Sequence, residues 1–347
     1  MVTTLRVVAA AAGVHSSTAS RALNEKTRHL VNDAVAARVI AAAARLGYRP
    51  DQAAAALRSG RSRLVGALVP GIANPVFAPI LSGAAAALSK AGLGLLVADT
   101  GHDADRAHHI VQELAARRVD GLLIATAIRQ PDPATELARA RGIPFVMILR
   151  AAPGDAAVMA DNTQSMELAL AHLLALGHRR IGYLGGGVAD TRSDRGACFV
   201  QVLVAHGLPA EHVEMTQGFD RAAGQRGAMA MLEHASGLTA VVCGNDLIAL
   251  GCYDAARTLG LRLPEQLSII GHNDLPHMDL VEPPLTTLRL DYKTMGERAA
   301  SALLGLLADG SPAQQFMTWE LVVRGSTAPP GGWAALGHAN AATPRIG

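Results

Sequence analysis

The feature that most constrains this chain is the stretch from Thr4 to Asn24, where apolar residues recur at helical spacing on both sides of Gly13. Leu5, Val8, Ala9 and Ala12 fall on one face, Thr4 stands where a first helix needs an N-cap, and Gly13 suits the left-handed residue that ends it. A second helix can follow at once, capped by His15 or Ser16. Its Ala19, Ala22 and Leu23 would turn inward and Ser16, Ser17, Ser20 and Arg21 outward. Two short helices about a Gly-containing turn make a helix-turn-helix, whose second helix can enter a DNA major groove; a plain helical hairpin has the same local pattern. Asn32 then caps a third helix with Val35, Val39, Ala42 and Leu46 on one face, and Gly47 closes it before Tyr48, Arg49 and Pro50.

Charge separates this head from the rest. Residues 1–63 carry ten Lys/Arg against three acids, whereas residues 64–347 carry 21 against 26, so an overall charge of +2 hides a basic head on an acidic body. A basic head suits phosphate contact, because each neutralised phosphate releases counterions. At 347 residues the chain exceeds one compact core, and it reads as a small domain plus a larger bilobal one. Cys198, Cys243 and Cys252 lack metal spacing and, being odd in number, give no disulfide framework, which fits a reducing cytoplasm. The opening residues lack the basic and apolar regions of an export signal, and apolar runs such as 64–69 are strand length, so neither export nor membrane insertion is expected.

Between head and body, Asp51 to Leu57 is rich in helix formers but only about two turns long. Isolated helices shorter than ~12 residues are marginal in water, so this one should form only against a partner, which suits a switch as well as a linker. From Leu64 onward, strand and helix patterns alternate. Strands are expected at 64–69, 94–98, 121–125, 145–149, 181–184, 240–243 and 267–270. Helices are expected at 80–90, 106–118, 135–141, 164–176, 195–206, 224–234, 246–259 and 294–308. This order implies two α/β lobes with parallel sheets, and ligands of such sheets bind at the carboxyl ends of the strands. The expected division is a helix-turn-helix domain at 1–50, hinge and linker at 51–63, a two-lobed domain at 64–328, and a disordered Pro/Gly/Ala-rich tail at 329–347 without a heptad pattern.

The chain resembles the LacI/GalR family of bacterial transcription regulators over nearly its whole length. The head matches through Thr4-Leu5, Val8-Ala9, Ala12-Gly13-Val14, Thr18, Ser20-Arg21, Leu23-Asn24, Arg38-Val39, Leu46-Gly47-Tyr48, Pro50, Ala54, Leu57-Arg58 and Gly60-Arg61-Ser62. The body matches through Asn74 to Phe77, Arg118 to Gly121, Asp161-Asn162, Gly177 to Arg179, Asn245-Asp246, Gly271 to Asp274, Pro284 to Thr287 and Leu321 to Ser326. The resemblance implies a small all-α DNA-binding head on an α/β two-lobed, periplasmic-binding-protein-like effector domain. It implies DNA contacts by Thr4, His15, Ser16, Ser17, Thr18, Ser20, Arg21 and Asn24. It further implies that Leu57, beside Arg58, wedges into the minor groove from paired hinge helices. Effector contacts fall to Arg195, Asn245 and Asn273, with Phe77 and Phe219 as apolar or stacking positions and Asp161, Thr191 and Tyr292 in a second rank. A guanidinium, two amides and an aromatic face suit a polyhydroxylated, sugar-like ligand.

Departures from the family pattern are specific. Val7 stands where an acid is usual, His15 where Ser or Thr is, Ala36 and Ala55 where Arg is, and Asp51 where Asn is; two extra residues lie between Asn24 and Val31. Asn273 replaces the usual carboxylate and so removes a bidentate acceptor. The expected protein is a cytoplasmic homodimeric regulator, a repressor, on a pseudo-palindromic operator, since one recognition helix reads only a few base pairs. No cofactor or metal is expected. Gly185 to Gly187 lacks the Lys-Ser/Thr of a phosphate loop, and His102, His108 and His109 with Asp103 and Asp105 lack a ligand motif. Without a nucleophile elbow, an enzyme is disfavoured. The competing readings are an exported solute-binding protein, an enzyme on the same scaffold, and a regulator whose cleft is unresponsive.

Overall fold

The computed structural model describes residues 3–25, 27–48, 62–126, 132–186, 195–234, 237–308 and 310–331. Leu57, Arg58, the expected hinge helix from Asp51, Ala55, Thr191 and Gly187 lie outside the described residues, as do positions 332–347. The chain divides into two units, Met1–Arg63 and Leu64–Gly347.

In the first unit, α1 (Leu5–Ala11), α2 (Ser16–Leu23) and α3 (Asp33–Arg45) enclose a core of small side chains, with Val8, Ala9, Ala19, Ala22, Val39 and Ala42 all buried. Gly13 has φ +63°, as the turn between α1 and α2 demands. His15 supplies the second cap: its Nδ1 accepts the Ser17 N–H at 3.3 Å and lies 2.8 Å from Ser17 Oγ, so an imidazole does what a hydroxyl usually does. Asn32 caps α3 by accepting the Ala34 N–H at 3.0 Å. Thr4 has the extended backbone of an N-cap, but its side chain makes no capping bond. Ala36 is also in this core, 2% exposed, so the position is a packing site here and presents nothing to solvent. Arg38 fastens α3 to the end of α1 by donating from Nη2 to Ala12 O at 3.3 Å.

The second unit holds two six-stranded sheets. The amino lobe has β1 (Leu64–Val69), β2 (Gly94–Asp99), β3 (Gly121–Ile124), β4 (Phe145–Leu149), β5 (Ala157–Ala160) and β11 (Gln314–Met317) in the order β11-β5-β4-β3-β1-β2, all parallel. The carboxyl lobe has β6 (Ile181–Gly186), β7 (Val213–Thr216), β8 (Ala240–Cys243), β9 (Ser268–Asn273), β10 (Thr286–Arg289) and β12 (Glu320–Val322) in the order β12-β10-β9-β8-β6-β7. Only β12 runs antiparallel. The central strands are continuous apolar runs because crossover helices cover both faces. The helices are α4 (Phe77–Lys90), α5 (Ala104–Ala116), α6 (Pro133–Ala140), α7 (Asn162–Ala175), α8 (Arg195–Ala205), α9 (Arg221–His234), α10 (Asp246–Thr258) and α11 (Tyr292–Leu307). Gly331 N donates to Glu265 O at 3.2 Å, so the first residues of the expected tail, 329–331, return to the carboxyl lobe.

The chain crosses between lobes three times, after β5, β10 and β11. The first two crossings are built alike. Asp161 (φ −78°, ψ 88°) caps α7 and Asp291 (φ −77°, ψ 85°) caps α11, each carboxylate accepting a backbone N–H three residues on at 2.9 Å. A side-chain cap lets each helix begin the moment the chain arrives in its new lobe.

The α11 helix is tied to the amino lobe by backbone contact with α4. A Cβ at Gly83 would lie 2.1 Å from Lys293 O, and one at Gly296 would lie 1.9 Å from Ile80 O. Neither carbonyl can give way without parting the helices. Gly296→Ala is therefore expected to cost about 2 kcal/mol or more; a urea midpoint unchanged from the parent protein would refute this packing argument.

Asp246, fully buried at the start of α10, accepts from Thr287 Oγ1 at 2.6 Å and from Leu275 N at 2.7 Å. Burial pushes its pKa up to about 7 despite those bonds. The unfolded carboxyl ionises first, so between pH ~4 and ~7 the folded chain holds the extra proton and stability falls as pH rises, by at most about 1.4 kcal/mol per pH unit. Asp246→Asn is expected to flatten that slope. Parallel pH profiles of melting temperature for the two proteins between pH 4.5 and 8 would show that this carboxyl does not carry it.

Candidate functional site

In the head, the face of α2 turned away from the alanine core carries Ser17, Ser20 and Arg21, all exposed, with Asn24 at its C-cap; Ser16 and Thr18 are half-buried. This is a short polar, singly cationic ridge on a rigid helix, the chemistry that reads base edges and phosphates in a groove.

In the body, the carboxyl ends of the strands and the three crossings bring a second set of residues together. Its centre is Trp319, in the third crossing and 4% exposed. Gln164, near the start of α7, clamps the Trp319 backbone from both sides: Nε2 donates to Trp319 O at 3.1 Å and Oε1 accepts the Trp319 N–H at 2.7 Å. The guanidinium of Arg195 lies over the indole, Cζ 5.0 Å from the ring centroid. His272 and Tyr292 meet it edge-on at 4.3 and 6.4 Å. Arg195, first residue of α8, is held from behind as Nη1 donates to Gly244 O at 2.6 Å and Nε to Asn162 Oδ1 at 3.4 Å. Tyr292 Oη donates to Asn273 Oδ1 at 2.7 Å, joining the second crossing to the end of β9. Asn273 has φ +113°, a strained backbone that sharply redirects the chain after β9.

Burial sets the charge states. The Tyr292 hydroxyl is pushed up to about 12 by burial, against the pull of Arg195, and remains a donor. His272 is held well below the usual imidazole range by burial and then by Arg195, so it is neutral at physiological pH. Among the described residues, neither ring nitrogen of His272 nor Trp319 Nε1 has a hydrogen-bond partner. Unpaired buried polar atoms are costly, and these three, on two rings in contact, have the composition of a site completed from outside the chain.

Arg195, Asn273 and Tyr292 are thus brought together as the sequence suggests. Asn245 lies one residue from Gly244, but its amide is engaged: Oδ1 caps α10 through the Ile248 N–H at 2.7 Å, and Nδ2 donates to Phe219 O at 2.9 Å. Phe219 is half-exposed and stacks on His102 of the amino lobe, centroids 6.1 Å apart and planes 13° from parallel. Asp161 serves as a helix cap, its neighbour Asn162 being the one that meets Arg195. Phe77 is 4% exposed, packed in the core at the start of α4. His108 and His109 lie beside Gln112 on α5, where Gln112 Nε2 is 3.3 Å from His108 Nε2 and Oε1 is 3.3 Å from His109 Nδ1. The sequence reading missed His272, Trp319, Gln164 and the His102 stack. His272→Leu, which removes the two nitrogens at closer volume, is expected to stabilise the ligand-free protein by about 1–3 kcal/mol; a lowered melting temperature would refute the assignment of these nitrogens as unpaired.

Comparison with known proteins agrees with both halves. Residues 4–51 match the model of bacterial regulatory proteins of the lacI family, and residues 170–327 match a periplasmic binding protein-like domain. The transcriptional regulator MalR of Streptomyces coelicolor is 35% identical, the match covering 94% of this chain and 97% of that one. Among solved structures, a Lac repressor dimer bound to operator and the anti-inducer ONPF superposes with a TM-score of 0.87 at 26% identity, over 94% of this chain and 100% of that one. A complex of the transcriptional regulator CelR with cellobiose gives 0.71 at 27% identity, over 93% and 99%. The chain belongs to the LacI family of helix-turn-helix transcriptional regulators, with a periplasmic-binding-protein-like domain carrying the cleft.

Proposed function

We propose that this chain is a cytoplasmic, homodimeric repressor whose grip on a pseudo-palindromic operator is set by a small sugar-like molecule between the lobes. The observation that carries the reading is the Arg195, Trp319, Tyr292 and Asn273 cluster. It is assembled from the second and third crossings, the start of α8 and one strand end, with polar atoms left unpaired among the described residues. A ligand that completes those hydrogen bonds in one lobe setting and not in another shifts the balance between settings by its difference in affinity, and by linkage shifts operator affinity equally. The Lac repressor dimer on its operator and CelR with cellobiose support the two halves of this reading. Leu57 and Arg58, as hinge residues, and Thr191, as a second-rank effector contact, are carried into the proposal from the sequence.

Selection of bound genomic fragments by the purified full chain, followed by titration of the recovered duplex, tests the reading. Arg21→Ala is expected to weaken binding to the selected sequence by about 10-fold or more, in the range of about 1–3 kcal/mol for a base-reading arginine. Leu57→Ala is expected to lose specific binding more than non-specific binding. Absence of preference for any duplex at low ionic strength rules the reading out. Arg195→Ala is expected to keep the ligand-free operator affinity and lose its response to small molecules; a variant that responds as the parent does would place the effector elsewhere.

A further inference from the structure

Among the described residues, the Arg195 guanidinium of the cleft has no acid beside it. Arg195 donates to a carbonyl and an amide oxygen, meets the Tyr292 hydroxyl and lies over the Trp319 indole, and no carboxylate of the described residues lies within ion-pair distance of it. A half-buried cation left without a counter-charge is unfavourable unless something anionic meets it. Carboxylates at the neighbouring strand ends and crossings are already engaged. Asp99 accepts the Ile72 and Gly101 N–H groups, Asp161 that of Gln164, and Asp220 that of Ala223, while Asp274, next to Asn273, is paired with Arg289 and Arg324. At Asn273, Oδ1 already accepts from Tyr292 Oη, and the amide's Nδ2, a donor, has no partner among the described residues. Trp319 Nε1 adds a second unpartnered donor, and an indole can only donate. A neutral polyol needs acceptors for its hydroxyl protons as well as donors for its oxygens. Beside the Arg195 charge, the groups here without a partner among the described residues are two N–H donors and the neutral His272 imidazole.

From this juxtaposition we infer that the ligand of the cleft is a monoanionic sugar acid, an aldonate or uronate, whose carboxylate faces Arg195 and accepts from Asn273 Nδ2. The inference rests on the cleft being an effector site. The planar fork of Arg195 meets the two oxygens of a carboxylate edge to edge.

The test is calorimetric titration of the full-length protein with glucuronate, galacturonate and gluconate, each against its neutral partner glucose, galactose or glucitol, with glucose 6-phosphate as a further arm. At least one acid is expected to bind 10-fold or more tightly than its partner, and to weaken as NaCl rises. Asn273→Asp, which sets a negative charge where the carboxylate should sit, is expected to cut that affinity at least 10-fold. Should this variant fold poorly, Arg195→Gln reads the same balance and is expected to erase the acid's advantage over its partner. Equal or tighter binding of a neutral sugar overturns the inference, as does tighter binding of the phosphate or binding of none of these compounds. A neutral sugar that releases the operator overturns it while leaving the regulator reading intact. Tight acid binding by a chain that selects no duplex does the reverse.

Discussion

The body depends on the paired hydrogen bonds between Gln164 and the backbone of Trp319. Three strands of chain pass between the lobes, and the third is too short to carry secondary structure, so its amide groups need partners elsewhere. Gln164 provides them from the first turn of α7, which is itself fixed by the Asp161 cap on the first crossing. The first and third crossings are further joined by the Asp161 N–H donating to Met317 O at 2.9 Å. The indole is thereby presented at one angle, and Arg195, His272 and Tyr292 pack against it from the other elements. The hinge of the two-lobed body and the centre of its cleft are the same residues.

Much of this was legible in the chain. The alanine periodicity about Gly13 defined the head, and buried apolar runs defined β1, β4 and β8 to the residue, because interior parallel strands have no polar alternation to blur them. Strands β5, β7, β10, β11 and β12 were not anticipated. All are only three or four residues long, too short for a pattern to stand out; β7, β11 and β12 are in addition largely half-exposed edge strands with neither alternation nor an apolar run. Helix starts were placed late by about two residues at α5, α6, α7 and α11. Capping by Asp103, Asp132, Asp161 and Asp291 begins each helix before its apolar face appears.

The site was legible where residue chemistry is unusual and silent where topology creates it. Arg195 and Asn273 stood out because a family likeness placed them at strand ends. Trp319 did not, since a lone tryptophan between two short strands carries no periodic signal and gains its place only when the chain returns a third time. His272 reads as one more interior strand residue; that both of its nitrogens are orphaned is a fact of packing, invisible in order and spacing. Asn245, conversely, looked like a ligand contact, and the fold uses most of its amide to start α10 and to hold Phe219.

The bond from Tyr292 to Asn273 has one more implication. Tyr292 opens a helix fused to the amino lobe through the contact of Gly83 and Gly296 with opposing backbone, whereas Asn273 terminates a strand of the carboxyl lobe. A rigid arm anchored in one half thus rests a single hydroxyl on the other. The contact of Tyr292 Oη with Asn273 Oδ1 is a point at which the relative position of the two halves and the hydrogen bonding of the cleft are read by the same pair of atoms.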